Sequence, residues 1–117
     1  MLHFFRRGTV RVGRKAPDFS LHNQDGKTIC LQDCQGTIVV LFFYPKDDTP
    51  GCTEESCSFR DRYAQFQELG ATVFGISSDS VESHRSFADK LNLPFSLLSD
   101  RNAQVRRQWR VPKTLGI

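Results

Sequence analysis

The sequence predicts an α/β fold built on a mostly parallel sheet, and three observations support this class. After residue 37, buried apolar segments of strand length alternate with segments of helical periodicity. Ahead of them, two short extended pieces flank the turn-forming run Asn23-Gln24-Asp25-Gly26, which is typical of a β-hairpin. The chain has 117 residues and is 38% apolar, so it has the size of one domain with one core.

Five extended segments are predicted. The hairpin strands lie near Asp18–Leu21 and Thr28–Leu31. Thr37–Tyr44 is continuously apolar, β-branched and aromatic, which predicts a central strand covered on both faces. Two further buried strands are expected at Ala71–Ile76 and Pro94–Leu98.

Helices are predicted between and after the buried strands. The first runs from about Thr53 to Leu69, and Gly70 follows as a C-terminal stop. Ser80 is placed to cap a second helix that continues through Leu91. A third helix is expected over Asn102–Trp109. Helices that connect successive strands in this way imply a mostly parallel sheet.

Charge is distributed unevenly along the chain. The net charge is +3, but residues 1–15 and 101–117 each carry five basic residues and no acidic one. A basic end could contact nucleic acid or an anionic surface. We favour a solvated tail and a solvated helix face, and so expect no nucleic-acid and no membrane partner. No apolar run approaches the roughly 20 residues that span a bilayer. Residues 1–14 do not have the pattern of a secretory signal. We therefore expect them to form a loose basic extension of a cytoplasmic protein.

No metal centre is predicted. The histidines are scattered and are interpreted as surface residues: His3, His22 and His84. The cysteines are Cys30, Cys34, Cys52 and Cys57, spaced C-x3-C and C-x4-C. A four-thiolate zinc site is an alternative, but the strand at 37–44 should carry the two pairs apart. Cys30 and Cys34 are interpreted as small apolar residues.

Cys52 is the candidate nucleophile. It immediately precedes the predicted helix, at or near its N-cap, where backbone N–H groups and the helix dipole stabilise a thiolate. The loop ahead of it follows a buried strand, and sites in open parallel sheets form beyond the carboxyl ends of strands. A small capping residue is the alternative interpretation.

The loop before Cys52 supplies three further candidates. Pro45 can shield a thiolate from water, the Thr49 hydroxyl can donate to sulfur or orient an oxygen, and Gly51 permits close backbone approach. Together they suit a small electrophile such as a peroxide. Pro45 and Thr49, taken singly, could equally have ordinary roles in a turn.

These residues carry a resemblance. The run Pro45-Lys46-Asp47-Asp48-Thr49-Pro50-Gly51-Cys52 is similar to the peroxiredoxin signature. The continuation through Asp61 resembles the bacterioferritin comigratory protein, or peroxiredoxin Q, branch. Ala16-Pro17-Asp18-Phe19 resembles the first strand of that branch, and the resemblance as a whole covers roughly residues 12–117. The resemblance implies a thioredoxin-like domain over residues 15–117, with three layers and an N-terminal hairpin.

The resemblance also implies a mechanism. Cys52 would reduce hydrogen peroxide or a small organic hydroperoxide and become a sulfenic acid, and Cys57 would resolve it as a Cys52–Cys57 disulfide. A thioredoxin-type dithiol would regenerate the thiols, without an organic cofactor because sulfur carries the redox change. Glu55 resembles the acidic residue that orients a catalytic arginine, although such a glutamate can simply complement the helix dipole. Cys57 could also be a buried helix residue.

Two features leave alternatives open. The family's active-site arginine lies on a strand that should follow the segment 109–113, and the chain ends at Ile117 before it. We therefore expect a final strand and a C-terminal helix to be missing, and a catalytically impaired binding module is the alternative function. The absence of C-x-x-C argues against a thioredoxin-like oxidoreductase. A monomer is expected from the family, with association where a sheet edge is exposed.

Overall fold

A five-stranded mixed sheet forms the centre of the computed structural model, which describes residues 10–112. The strands are β1 Ser20–His22, β2 Thr28–Cys30, β3 Ile38–Phe43, β4 Ala71–Ser77 and β5 Ser96–Ser99. The sheet order is β2-β1-β5-β4-β3, in which β3, β4 and β5 are parallel and β1 is antiparallel to both of its neighbours. The predicted hairpin and parallel core are confirmed, and each strand lies within two residues of its predicted start.

The position of β3 corrects one expectation. The prediction made it a central strand, but within the described residues it lies at the sheet edge and pairs only with β4. Ile38 is 58% exposed there. A continuous apolar run indicates that both faces of a strand are covered, and both faces of β3 do pack against core residues. Such a run does not indicate whether the strand has one hydrogen-bonded neighbour or two.

Helices cover both faces of the sheet. They are α1 Pro50–Asp61, α2 Tyr63–Glu68, α3 Val81–Leu91 and α4 Gln104–Gln108. Short 3₁₀ turns precede β3 and α4, at Leu31–Cys34 and Arg101–Ala103. Within residues 10–112, no helix combines the length and the apolar character needed to cross a bilayer.

The predicted single helix from Thr53 to Leu69 is wrong in two respects. The helix begins earlier, because Pro50 needs no hydrogen-bond partner for its nitrogen and fits the first helical position. It is also divided at Arg62, whose backbone (φ −107°, ψ 11°) leaves the helical region. Neither glycine nor proline marks this break, so the sequence pattern continues across it.

Successive residues of the strands divide the core between the two sheet faces. On one face, Phe42, Val73 and Leu97 pack beneath α1, α2 and α3. On the other, Phe74, Ile76 and Leu98 pack with Phe19 of the N-terminal segment and Val105 of α4. The site described below lies on the first face, at the carboxyl ends of the parallel strands.

Candidate active site

Cys52 lies in the first turn of α1, as its third residue. Thr49 is the N-cap, with an extended backbone at φ −89° and ψ 152°, so Cys52 lies near the cap, three positions after it, rather than at the cap itself. The Thr49 carbonyl accepts the Thr53 N–H at 2.8 Å and closes this turn. The N–H groups of a first helical turn have no partners within the helix, so the expected electrostatic setting of the thiol is retained.

The Cys52 side chain is enclosed by the core. The residue is 5% exposed and belongs to a cluster of buried residues on the α1 face of the sheet. The other members of this cluster are Phe42, Tyr44, Val73, Phe87, Ala88, Phe95 and Leu97. In the described part of the chain, no group forms a hydrogen bond to the Cys52 sulfur. The enclosure admits only a small reactant to the thiol unless the surrounding segment moves.

The three loop candidates lie in different settings. The Thr49 hydroxyl donates to the Lys46 carbonyl at 3.0 Å, which is a turn contact rather than a bond to Cys52. Pro45 is exposed and lines a cavity of about 470 Å³, together with Phe43 and Ile76 of the opposite sheet face. A Cβ placed on Gly51 would meet no atom within 4 Å, so a close backbone approach is not observed at this glycine.

Cys57 and Glu55 follow Cys52 on the same helix. Cys57 is partly buried, and both cysteines are free thiols in this structure. Glu55 is exposed, and among residues 10–112 its carboxylate has no hydrogen-bonding or ionic partner. Partial desolvation raises the pKa of Glu55. Arg60 bonds the Leu91 carbonyl at 2.8 Å, which ties α1 to the end of α3.

Cys30 and Cys34 lie apart from Cys52. Cys34 packs with the core on the face opposite α1, and its thiol donates to the Cys30 carbonyl at 3.8 Å. Burial raises the pKa of the Cys34 thiol, as do the nearby Asp33 and Cys30. Cys34 and Cys52 pack on opposite faces of the sheet, and among residues 10–112 the four cysteines do not come close enough together to form the alternative four-thiolate zinc site.

His84 corrects the prediction of scattered surface histidines. His22 is exposed as expected, and His3 lies outside the described residues, but His84 has no exposed surface. Its Nδ1 donates to Asp47 Oδ2 at 2.8 Å, and its Nε2 donates to the Leu98 carbonyl at 3.1 Å. A signal was present, since His84 is in phase with Phe87 and with Leu91 on the buried face of α3.

Asp47 is the acceptor at the centre of this arrangement. Its carboxylate accepts the Tyr44 hydroxyl at 2.6 Å and the Ser83 hydroxyl at 2.8 Å, in addition to His84. Burial raises the pKa of Asp47, but the hydrogen bonds from His84 and Tyr44 and the charge of His84 outweigh it and hold that pKa below its ordinary value. Burial and the adjacent carboxylate raise the pKa of Tyr44 well above its usual range, so this phenol remains a proton donor.

Asp79 completes a group with the spacing of a metal site. One ligand atom each from Asp47, Asp79 and His84 lies within 4.8 Å of the others. These atoms are already engaged, because Asp79 Oδ2 accepts the Asp47 N–H at 2.8 Å and the Ser77 hydroxyl at 2.6 Å. Hydrogen bonds therefore connect these residues to one another, and the group holds the loop before Cys52 against β4 and α3.

The comparisons with known proteins agree with this fold. Residues 12–116 match the model of the AhpC/TSA family. The chain therefore belongs to the AhpC/TSA family. Within that family, its relatives include the chloroplastic peroxiredoxin Q of Triticum aestivum, which is 51% identical over 108 residues, or 92% of this chain and 50% of that protein. The putative peroxiredoxin bcp of Coxiella burnetii is 52% identical over 103 residues, or 88% of this chain and 68% of that protein.

Solved structures show the same branch. Peroxidoxin BcpB of Mycobacterium tuberculosis superimposes with a TM-score of 0.81 at 39% identity, covering 91% of this chain and 68% of that one. The Xanthomonas campestris bacterioferritin comigratory protein, studied for alkyl peroxide reduction, gives 0.78 at 36% identity, covering 80% and 59%. The chain spans about half the length of the plant relatives it matches. The thioredoxin-like α/β fold expected from the sequence is confirmed.

Proposed function

We propose that this protein is a thiol peroxidase that reduces hydrogen peroxide and small organic hydroperoxides, with Cys52 as the peroxidatic cysteine. One observation carries the proposal. Cys52 occupies the first turn of α1, directly after a loop similar to the peroxiredoxin signature, in a chain about half identical to named peroxiredoxins. The alkyl peroxide reduction named for the X. campestris protein supports organic hydroperoxides as substrates.

The first step is an oxygen transfer to sulfur. The Cys52 thiolate attacks the distal oxygen of the hydroperoxide, the O–O bond breaks, and the leaving oxygen takes a proton to depart as water or an alcohol. Cys52 is then a sulfenic acid, oxidised by two electrons. The apolar enclosure by Tyr44 and Phe87 excludes water from the thiol and favours a small substrate.

The second step joins Cys52 and Cys57. The Cys57 thiol attacks the sulfenic sulfur, a disulfide forms and water leaves. Residues five apart on a regular helix have Cα atoms about 8.7 Å apart, from 1.5 Å rise and 100° per residue. A disulfide requires about 7 Å or less. Because both cysteines lie within the continuous helix α1, its first turns must unwind before the bond can form.

A dithiol of the thioredoxin type would then reduce the disulfide by exchange, which returns both thiols and oxidises the partner. Such a reductant is what the family implies. Monomeric assembly, a cytoplasmic location and an N-terminal extension over residues 1–14 stay predictions from the sequence.

The decisive experiment treats the reduced protein with one equivalent of hydrogen peroxide and measures intact mass, thiol content and the modified peptides. Loss of two thiols and two hydrogens at Cys52 and Cys57 is the expected result. A Cys57→Ser variant should instead accumulate sulfenic acid at Cys52. Absence of reaction at Cys52 would overturn the peroxidase proposal and leave the binding module as the better description.

A further inference from the structure

The loop that joins β3 to α1, residues 44–49, is attached to the rest of the protein through one buried carboxylate. Asp47 lies near the middle of this loop and is buried although its neighbours Lys46 and Asp48 are exposed. Its two carboxylate oxygens accept three hydrogen bonds, and its backbone N–H donates a fourth to Asp79. Buried polar groups are costly unless they are satisfied, so this residue holds a defined position.

The donors come from two separate elements. Tyr44 directly follows β3, whereas Ser83 and His84 belong to the first turns of α3. We name the set Tyr44, Asp47, Ser83 and His84 the Asp47 network. It spans from the end of a central-layer strand to a helix that packs on the same face as α1, with the loop between them.

His84 presents a ring nitrogen to each of two acceptors. Its Nδ1 lies 2.8 Å from the Asp47 carboxylate, and its Nε2 lies 3.1 Å from the Leu98 carbonyl oxygen. A hydrogen bond to a carboxylate is charge-assisted, and such hydrogen bonds are stronger than neutral ones. The His84–Asp47 pair lies at the carboxyl end of β5, one turn of α3 away from Phe87.

The Asp47 network is connected to the thiol through packing. Tyr44 and Cys52 belong to the same buried cluster, Tyr44 at the start of the 44–49 loop and Cys52 in the helical turn that follows it. The hydroxyl of Tyr44 is held by Asp47, while its ring packs at 6.2 Å from the Phe87 ring, centroid to centroid. A displacement of Asp47 would therefore free the loop and release one wall of the thiol's enclosure.

The backbone next to Asp47 is in an uncommon conformation. Asp48 has φ +67°, in the left-handed region that residues other than glycine seldom adopt. Such conformations persist where surrounding contacts determine them. The Asp48 side chain pairs with Lys90 of α3 at 2.8 Å, but both are exposed, so this surface pair contributes little. The buried contacts of Asp47 are the stronger determinant of the loop.

We propose that Tyr44, Asp47 and His84 are positioning residues, which fix the 44–49 loop and the first turn of α1 so that the Cys52 thiol is held in its closed pocket for reaction with peroxide. This inference rests on the proposed peroxidase function for its reaction. Its structural part, control of access to Cys52, can be measured independently of peroxide.

The test compares four variants with the wild-type protein. Asp47→Ala removes the three side-chain hydrogen bonds that Asp47 accepts, and Tyr44→Phe removes one hydroxyl while keeping the ring. Asp47→Asn preserves shape and can accept from Tyr44. Gln24→Ala is the matched control: it also deletes two buried hydrogen bonds, to Phe95 and Leu97, but at the amino end of β5.

The first readout is the rate at which iodoacetamide alkylates Cys52 under native conditions, assigned by peptide mapping. Loss of one buried hydrogen bond to a charged group should raise the population of the open pocket, and with it the alkylation rate, about tenfold. We expect at least that increase for Asp47→Ala and Tyr44→Phe, a smaller one for Asp47→Asn, and none for Gln24→Ala. The second readout is the second-order rate constant with hydrogen peroxide, which should fall in the same order.

Two results would overturn the inference. One is an unchanged alkylation rate in both Tyr44→Phe and Asp47→Ala. The other is an equal increase in Gln24→Ala, which would mean that any loss of stability exposes Cys52. Should Asp47→Ala fail to fold, Tyr44→Phe decides. A wild-type protein that does not react with peroxide would contradict the proposed function, whereas alkylation would still decide the positioning role.

Discussion

Cys52 and Cys57 lie on one uninterrupted stretch of α1 and are both free thiols. Cys52 is in the core and Cys57 is only partly buried, so the two side chains have different surroundings although five residues separate them. A regular helix keeps such a pair too far apart for a disulfide. For the proposed reaction, the reduced structure therefore suits the first chemical step and must be rearranged for the second.

Oxidation should accordingly unwind the beginning of α1. We expect the backbone amides of residues 50–57 to exchange with deuterium faster after one equivalent of hydrogen peroxide, because those helical hydrogen bonds break when the disulfide forms. Hydrogen exchange with peptide-level mass spectrometry measures this. The Cys57→Ser protein, which cannot form the bond, should retain its protection; similar protection in oxidised wild type would show that the helix stays intact.

Replacement of Gly75 should destabilise the fold. A Cβ at this position in β4 would lie 2.8 Å from the Phe42 ring and 2.9 Å from Leu97 Cδ2, closer than atoms in a packed core approach. Phe42 is itself fixed by stacking on Phe59 at 4.4 Å. We expect Gly75→Ala to cost about 1–3 kcal/mol in the free energy of unfolding, measured by urea denaturation.

A second glycine offers the control for that measurement. Gly51 has open space where the methyl group of an alanine would lie, with no atom within 4 Å, and its φ is not positive. Gly51→Ala should therefore leave the unfolding free energy unchanged or raise it by up to about 1 kcal/mol, since alanine favours helix. If both variants lost equal stability, crowding at Gly75 would not be the cause.

Removal of the Ser56 hydroxyl should stabilise the fold. The residue is completely buried, one turn after Cys52, and within the described range its Oγ has no hydrogen-bond partner. A buried polar group without a partner costs about 1–3 kcal/mol, so Ser56→Ala should raise the free energy of unfolding by about 1 kcal/mol. Ser80→Ala, which deletes the hydroxyl that accepts the Ser83 N–H at 3.1 Å, should have the opposite sign. Thermal denaturation of the two variants distinguishes these outcomes.

Asp47 should make the stability of the protein depend on pH. Its pKa is depressed in the folded state relative to an ordinary value of 3.8, so the folded state binds the proton less readily than the unfolded state. The stabilisation is therefore present in full above pH 3.8 and is lost progressively as the pH falls below it. Near neutral pH, we expect the free energy of unfolding of the wild-type protein to exceed that of Asp47→Asn by about 2 kcal/mol.

Urea titrations of both proteins over the acid range measure this dependence. The difference between them should narrow below the ordinary carboxyl pKa, because protonated Asp47 then resembles asparagine. A difference that stayed constant down to the acid limit would indicate that the carboxylate contributes no net electrostatic stabilisation.

Much of the fold followed from local patterns in the sequence. The apolar runs located β3, β4 and β5, and the turn residues 23–26 located the hairpin. Ser80 was correctly predicted to cap α3, because a serine in that place has a defined bond to make. The break at Arg62 and the edge position of β3 were not predictable, since no local residue preference distinguishes them.

The candidate site, like the fold, was predictable from the sequence only in part. Cys52 could be proposed from the sequence because a cysteine near a helix start, after a strand and a turn-rich loop, has a recognisable chemistry. The Asp47 network was missed, since Asp47 and His84 lie 37 positions apart and Asp47 looks like one more polar residue of an exposed loop. Only the tertiary structure brings these two residues into contact.

The sequence by itself determined the class of fold and proposed Cys52 as the nucleophile near a helix start, because strand burial and helix capping are set by residues close together in the chain. Tertiary structure alone decided that Cys52 is enclosed, that Cys52 and Cys34 pack on opposite faces of the sheet, and that the loop is anchored through Asp47. These features arise when β4, β5 and α3 pack beside the loop, since burial and hydrogen-bond partners belong to the assembled core.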